Sequence, residues 1–433
     1  MIKPVFVTAA LSVLALVAAK PQEVSWLNNA GVLTPYQKGT TPAGVKDKLP
    51  EDCTVTQVML MNRHGSRYPQ HELELIHGMQ AKVAQAAEYI AKAKLPKEFQ
   101  FLKKGYVSTL GTASITANGR KELFSHGVNF LLRYPHLKAQ TILSGSVPRV
   151  VESAQWFAQG YFGTSWNNVS SSVFSILNTD NVTIQWIAPY STCPKWSFDM
   201  IEAQSAPWEA KFIPPITKRF NALIPGLNFS DTDTLGALNA CPYDYAAHSQ
   251  SPWCGVFTEK EILDNEYDHD LFMHGGWGYN AQDNMGPMQG TLYINKLIER
   301  FSNSTGNAQE MYLEFGHDTT IVAPLTTLGI AKDTPPLTGE ARREKRKWIT
   351  SRMTPFAAQM VFEKFTCSSS FQGPQIRLVL NEATMPLELC AKTSEDKKYG
   401  TCSFENFVKA NSYATSIKWG DAAWNATCGV ANL

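Results

Sequence analysis

The amino-acid sequence predicts an α/β fold, with a central, mostly parallel sheet flanked by helices and a helical subdomain beside it. Three segments support this prediction, because in each one a short apolar run is followed by a polar loop and then by a helical pattern. Strands that alternate with helices are typical of a parallel sheet. We therefore expect the three loops to meet at the carboxyl edge of the sheet, where ligands bind in such folds.

The three segments lie far apart along the chain. In the first, the strand Thr54–Met61 leads into the loop Asn62–Pro69. In the second, the strand Ala139–Leu143 is followed by the loop Ser144–Arg149 and the helix Val150–Gln159. In the third, the strand Glu310–Phe315 is followed by the loop Gly316–Thr320 and the helix Ile321–Leu328. Helices are also predicted over Glu72–Lys94 and over Asn118–Arg133, with Thr116 as N-cap of the second. Alternation of apolar and polar residues predicts strands over Gln359–Phe365 and Gln375–Leu380.

The predicted domain organisation is a short leader followed by one unit. Residues 1–19 form the leader, and residues 20–433 form the unit, whose α/β core spans about 50–190 and 307–433. The stretch between, about 191–306, is rich in Trp, Pro, Asn and Tyr and is predicted to be a mainly helical inserted part. No internal repeat or Gly/Ser linker divides the chain.

The amino terminus carries a short apolar run. Met1–Lys3 leads into Val5–Val17, and the small pair Ala18–Ala19 and the polar Lys20 follow. This order is typical of a secretory signal peptide, which we expect to be cleaved after about Ala19. A membrane anchor is the alternative interpretation, but the run is shorter than the about 20 residues that a spanning helix needs. We therefore expect no stable membrane insertion after cleavage.

Cysteines and glycosylation sequons favour the same secretory route. The eight cysteines include no Cys-x2-Cys pair and have no His at ligand spacing, so disulfides are favoured over a zinc site. Because disulfides persist in oxidising compartments, we expect a protein that is secreted or held in the cell wall or periplasmic space. The cysteines are Cys53, Cys193, Cys241, Cys254, Cys367, Cys390, Cys402 and Cys428, and the sequons begin at Asn168, Asn181, Asn228, Asn303 and Asn425.

Composition and charge exclude several classes of protein. Of the 433 residues, 44% are hydrophobic and 18% are charged, which is enough apolar material for a sizeable core and argues against disorder. Lys and Arg number 39 against 38 Asp and Glu. Without an excess of positive charge, a general nucleic-acid binder is disfavoured.

The loop after the first strand has the residues of a phosphate site. Arg63 and Arg67 flank His64, and Gly65 allows a close approach of the backbone. Two guanidinium groups can bind the oxygens of a phosphoryl group while the imidazole faces phosphorus. A surface cluster of arginines beside a structural histidine is the alternative interpretation of these residues alone.

The segment Arg63–Pro69 closely resembles the Arg-His-Gly-x-Arg-x-Pro signature of the histidine acid phosphatases, a family that includes fungal acid phosphatases and phytases. Gly316–Asp318 is similar to the distal His-Asp pair of that family, and Arg149 is similar to its third phosphate-binding arginine. The order and separation of these motifs fit the family over about residues 50–430. The resemblance implies a fold like that of phosphoglycerate mutases and the hydrolysis of small phosphate esters.

The resemblance also implies a role for each motif residue. His64 would attack phosphorus to give a phosphohistidine, and Asp318 would protonate the leaving oxygen. The residues implied to bind the phosphoryl oxygens are Arg63, Arg67, Arg149 and His317. The nearby arginines would keep His64 neutral and nucleophilic at mildly acid pH, and an acid optimum is expected because Asp318 must carry a proton. Neither a metal ion nor another cofactor is implied, since the arginines supply the charge that Mg²⁺ supplies in kinases.

Eight cysteines allow 105 pairings, so their order cannot select one. The resemblance implies four disulfides, namely Cys53–Cys367, Cys193–Cys428, Cys241–Cys254 and Cys390–Cys402.

Several other residues have a structural and a functional interpretation. The basic run Arg342–Lys347, like Lys103 and Lys104, is either a solvated surface or a patch that collects anionic substrate. His274 and the segment Asp268–Asp270, which contains His269, could bind a metal ion, but no second cluster supports them. Glu152 lies one helical turn after Arg149 and either faces the pocket or is structural.

The leading functional hypothesis is a secreted acid phosphatase of broad specificity that also accepts phytate. A dedicated phytase would need basic residues around the pocket beyond the core arginines, and their placement is not readable from the sequence. A mutase-like phosphotransferase and a non-catalytic phosphate-binding protein are the other hypotheses. The oligomeric state is left open.

Overall fold

The computed structural model describes residues 25–166, 173–176 and 185–430, and these form an eight-stranded sheet with helices on both faces. The strands are β1 (Cys53–Arg63), β2 (Ile142–Gly145), β3 (Val173–Ile176), β4 (Met311–Gly316), β5 (Gln359–Cys367), β6 (Gln375–Leu380), β7 (Ala383–Met385) and β8 (Thr401–Ser403). Their spatial order is β3-β2-β4-β1-β5-β6-β7, and β8 pairs with β6. The predicted α/β class with a central sheet is confirmed.

The sheet is mixed, which corrects the expectation of a mostly parallel one. Strands β1 to β4 are mutually parallel, whereas β5 to β8 pair in the antiparallel sense. For β5 to β7 the short connections are the cause, because a parallel neighbour needs a long crossover. Only the turn Asn381–Glu382 joins β6 to β7, and both residues have the positive φ, 50° and 65°, that a tight hairpin turn requires.

Helices form much of the rest of the described chain. They are α1 (Trp26–Asn29), α2 (Glu72–Gln85), α3 (Ala87–Lys92), α4 (Ala117–Arg133), α5 (Pro148–Phe162), α6 (Asp199–Leu223), α7 (Asp231–His248), α8 (Glu259–Gly276), α9 (Met285–Ser302), α10 (Asp318–Thr327), α11 (Thr350–Met353), α12 (Ser394–Tyr399), α13 (Phe404–Ala410), α14 (Ser412–Thr415) and α15 (Ala422–Cys428). The predicted cap is present, since the Thr116 side chain accepts from the Gly119 amide. The helix expected over Glu72–Lys94 is divided at Ala86, whose ψ of 9° is not helical.

Two apolar layers cover the faces of the sheet. Alternate residues of β1 point to opposite faces, so Val58 and Leu60 pack with α4 and α5, whereas Met59 and Met61 join a larger core. That larger core includes buried residues of α6 to α9, such as Trp208. These four helices occupy the stretch expected to be the helical inserted part, and its treatment as a separate unit stays a prediction.

The described chain holds four disulfides, of which two join distant segments and two close short loops of 13 and 12 residues' separation. Their pairing, Cys53–Cys367, Cys193–Cys428, Cys241–Cys254 and Cys390–Cys402, is the one that the family resemblance implies. Within the described ranges, no helix is both long enough and apolar enough to cross a membrane. The predicted signal peptide, residues 1–19, lies outside the described residues.

Candidate active site

Three loops meet at the carboxyl edge of the parallel strands. Strand β1 pairs with β4 so that Arg63 lies opposite Gly316, and the residues that follow, His64 and His317, are therefore neighbours. Their ring centroids are 5.6 Å apart. Strand β2 lies on the other side of β4, and its loop leads to Arg149 in the first turn of α5. The strand order thus brings together residues that are far apart in the sequence.

His64 is buried, and its hydrogen bond determines its tautomer. Its Nδ1 lies 2.9 Å from the Gly65 carbonyl oxygen. Because a carbonyl can only accept, Nδ1 carries the proton and Nε2 keeps a free electron pair. Burial lowers the pKa of His64 well below its usual value, and the charges of Arg149 and Arg63 lower it further. The imidazole is therefore neutral at mildly acid pH.

Arg63 is held rigidly beneath the site. One of its Nη atoms donates to the carbonyls of Val32 and Thr354, at 2.6 Å each, and the other lies 2.8 Å from Oδ2 of Asp318. Its guanidinium also packs over the ring of Phe356, 4.7 Å from the centroid. These contacts fix a buried positive charge next to His64.

Arg67 is placed by the backbone, by Glu72 of α2 and by Tyr243 of the helical part. One Nη donates to the Tyr68 carbonyl at 2.9 Å, and the other lies 3.5 Å from Oε1 of Glu72. The ring of Tyr243, on α7, packs 5.5 Å from the guanidinium carbon. Arg67 is thereby held against helices α2 and α7.

Arg149 and His317 begin the helices α5 and α10, whose N-termini favour an anion. Burial, together with the charge of Arg67, lowers the pKa of Arg149 to about 10, so its guanidinium stays charged. Burial and the charge of Arg149 lower the pKa of His317 to about 3. Neither Nε of Arg149 nor Nε2 of His317 has a hydrogen-bond partner among the described residues, so both atoms can bind a ligand.

Asp318 is a carboxylate in the free site. Burial alone would raise its pKa, but Arg63 and His317 outweigh this effect, and the net pKa lies below its usual value. One carboxylate oxygen accepts from the Thr319 amide at 2.8 Å, and the other pairs with Arg63. The sequence predicted Asp318 in the site but not this ion pair.

Two side chains that sequence reasoning missed support the loop. Ser153 of α5 accepts from the Gly65 amide at 3.1 Å and donates to the Arg149 carbonyl at 2.7 Å. Glu122 of α4 accepts from both the amide and the hydroxyl of Ser66, at 2.8 Å each. No local motif marks either residue, because their contacts arise only when α4 and α5 pack against the loop.

Comparisons with known proteins agree with this geometry. Residues 54–381 match the family model described as the histidine phosphatase superfamily, branch 2. The chain belongs to this family. It is 28% identical to a phytase A of Aspergillus fumigatus, over 90% of this chain and 89% of that protein. It is 27% identical to a thiamine-repressible acid phosphatase of Schizosaccharomyces pombe, over 91% and 88% of the two chains.

The crystal structure of the phytase from D. castellii shares the fold of this histidine phosphatase. The TM-score is 0.78 at 22% identity, with 94% of this chain and 88% of that chain covered. The expected fold is thereby confirmed.

Two candidate residues of this histidine phosphatase are engaged elsewhere. Glu152 pairs with Arg120 of α4 at 2.7 Å, so its carboxylate is directed toward a neighbouring helix. In the basic run, Arg346 is buried and pairs with Glu266 and Asp270. The run is therefore neither a fully solvated loop nor an open anion-collecting patch, because part of its charge is neutralised inside the protein.

Helix α8 also engages Arg342 of this run and contains two of the suspected metal ligands, Asp270 and His274. Arg342 pairs with Asp264 of α8 at 3.1 Å. Asp270 also accepts from the Thr350 amide at 2.7 Å, and His274 is buried against Trp348. Among the described residues, no group of three metal-ligating side chains is found.

The predicted sequons differ in accessibility. Asn228 and Asn303 are exposed and Asn425 is half-buried, whereas Asn168 and Asn181 lie outside the described residues. Lys103 and Lys104 lie on the surface.

Proposed function

We propose that this histidine phosphatase hydrolyses phosphate monoesters, with His64 as nucleophile and Asp318 as general acid. The observation that carries the proposal is the neutral, buried His64, whose Nδ1 donates to the Gly65 carbonyl. An attacking imidazole needs a free lone pair on nitrogen, and this hydrogen bond leaves it on Nε2.

The reaction proceeds in two transfers. Nε2 of His64 forms a bond to phosphorus while the bond to the leaving oxygen breaks, and the leaving oxygen takes a proton from Asp318. Water then attacks the phosphohistidine and gives a proton to the Asp318 carboxylate, which releases phosphate and restores both side chains. The charges that stabilise the transferred phosphoryl group come from Arg63, Arg67 and Arg149, and His317 donates to one of its oxygens.

The protonation of Asp318 depends on the substrate. In the free site Arg63 favours the carboxylate. A bound phosphoryl group brings negative charge close to Asp318 and competes for Arg63, and both effects raise the pKa of this carboxyl. We expect kcat to fall as pH rises through that pKa, since the deprotonated form cannot give a proton to the leaving oxygen.

Substitution of the two catalytic residues tests the assignment. His64→Ala should lower kcat at least about a hundredfold with an unchanged circular dichroism spectrum, because the attacking atom is removed. Asp318→Asn should lower the rate for alkyl phosphates far more than for aryl phosphates, whose leaving groups scarcely need a proton. A folded His64→Ala variant that keeps most of its activity, or equal losses for both substrates in Asp318→Asn, would refute the respective role.

For the substrate, we propose a broad acid phosphatase that also accepts phytate. The named relatives include both an acid phosphatase and a phytase. The alternative is a dedicated phytase, which would use further Lys and Arg contacts and would show a steep, phytate-specific loss of kcat/KM as salt increases. We expect similar, modest declines for phytate and p-nitrophenyl phosphate near pH 5. A preference for phytate of about a hundredfold at low salt would favour the alternative.

We also propose that the protein is secreted or retained in the cell wall or periplasmic space. The four disulfides support an oxidising compartment.

The remaining hypothesis is a protein that binds phosphate without catalysis. Measurable turnover of an aryl phosphate would exclude it.

A further inference from the structure

A second carboxylate, besides Asp318, contacts the arginines of the phosphate site. Glu72 lies in the first turn of α2, and its Oε1 is 3.5 Å from Nη2 of Arg67. The side chain is 29% exposed, against 12% for Arg67, so the carboxylate lies at the rim of the site and the guanidinium lies deeper. Glu72 has no part in the reaction steps proposed above.

Two hydrogen bonds hold this carboxylate in place. The hydroxyl of the buried Tyr243 donates to Oε1 of Glu72 at 2.6 Å, and the backbone N–H of Gln70 donates to Oε2 at 2.8 Å. The same tyrosine ring packs against the guanidinium of Arg67. Glu72 therefore keeps a fixed orientation toward Arg67, because both of its oxygens have a donor.

The charge of Glu72 persists at the acid pH at which the enzyme is expected to act. Burial tends to raise its pKa, but Arg67 and the hydrogen bond from Tyr243 outweigh burial and lower the pKa below its usual value. His269 also interacts with Glu72, and burial lowers the pKa of this histidine to about 4. Near pH 5 His269 is therefore mainly neutral, and Arg67 is the cation that opposes the Glu72 charge.

A carboxylate in this position works against the binding of an anion. A phosphate group bound by Arg67 must share the guanidinium with Glu72 and is repelled by it. The repulsion increases with the charge of the ligand. It acts on the product phosphate as well as on the substrate, so it also favours product release.

We propose that Glu72 is a specificity-determining residue that weakens anion binding at Arg67 and thereby disfavours phytate relative to singly phosphorylated esters. This inference rests on the proposed phosphatase function. Its role is electrostatic, and Tyr243 is the positioning residue that keeps the carboxylate in contact with Arg67.

The test compares Glu72→Gln with the matched variant Glu74→Gln. Both remove one negative charge from the same turn of α2, but the exposed Glu74 makes no ion pair with Arg67. The measurements are the inhibition constant of inorganic phosphate and kcat/KM for phytate and p-nitrophenyl phosphate, near pH 5 and at low salt. Circular dichroism and thermal unfolding confirm that both variants are folded.

In Glu72→Gln we expect the inhibition constant of phosphate to fall about tenfold, because the variant removes a negative charge that repels phosphate at short range. The ratio of kcat/KM for phytate to that for p-nitrophenyl phosphate should rise, and high salt should reduce both effects. Glu74→Gln should stay within about twofold of the wild type, since an exposed charge that makes no contact is screened.

A gain in affinity distinguishes this role from a structural one, because the loss of a merely structural contact would weaken binding. A fall in the inhibition constant of less than about threefold, a rise, an unchanged substrate ratio, or an equal effect of Glu74→Gln would overturn the proposal. Calorimetric titration of the same variants with phosphate separates this result from the proposed function. If the wild type bound phosphate but did not turn over substrate, the function would fail while the effect of Glu72 could still be measured.

Discussion

Asp244 on α7 offers a test of how burial controls a carboxyl group in this protein. It is buried, and its oxygens accept from the Tyr106 hydroxyl at 3.2 Å and from the Ser251 hydroxyl at 2.9 Å. Burial nevertheless raises its pKa from 3.8 to about 6, because the two hydroxyls only partly replace the solvation of the charge. The substitution Asp244→Asn replaces it with a side chain of the same shape that cannot ionise.

The sign of the effect on stability follows from the direction of this shift. A carboxyl whose pKa is higher in the folded state contributes stability that is fully present below its unfolded pKa of 3.8. This contribution is lost as pH rises through about 6. The difference between the two pKa values corresponds to about 3 kcal/mol. The Asn variant should therefore gain up to about 3 kcal/mol over the wild type between pH 3.5 and pH 7.5.

Thermal unfolding of both proteins at pH 3.5 and pH 7.5 measures this change. The measured quantity is the unfolding midpoint of Asp244→Asn minus that of the wild type. We expect this difference to be several degrees larger at pH 7.5 than at pH 3.5. The exposed Asp199→Asn serves as a control for the loss of one charge. The reasoning would be refuted if the difference between Asp244→Asn and the wild type were the same at both pH values or smaller at pH 7.5.

Two further predictions concern the loop and the disulfides. A Cβ added at Gly65 would lie 2.7 Å from the Gly119 carbonyl oxygen, so Gly65→Ala should cost about 1–3 kcal/mol and most of kcat. Gly78→Ala should be neutral or stabilising by up to about 1 kcal/mol, because a Cβ there meets no atom within 4 Å and Ala favours a helix. Unfolding and kinetic assays of the Gly65→Ala and Gly78→Ala variants measure both effects. Peptide mass mapping without reduction should find Cys241 linked to Cys254 and no free thiol, and any other partner would contradict the pairing.

The sequence by itself determined the chemistry of the loop that contains His64. The nucleophile and two of its arginines lie within five consecutive residues, Arg63–Arg67, so their proximity is a property of the chain and needs no fold. The strand, loop and helix order also predicted that the distant Arg149 and His317 would join them. In the structure the three loops follow neighbouring strands, because parallel strands place their carboxyl ends at one edge of a sheet.

Only the tertiary structure decided how these groups are charged and held. The low pKa of Asp318 depends on its ion pair with Arg63, and the opposition of Glu72 to Arg67 depends on a hydroxyl that Tyr243 provides from a distant helix. The position of Arg346 in the interior likewise depends on carboxylates of α8. A pKa and an ion pair depend on distance and burial, and for residues far apart in the sequence both are set by how helices and strands pack.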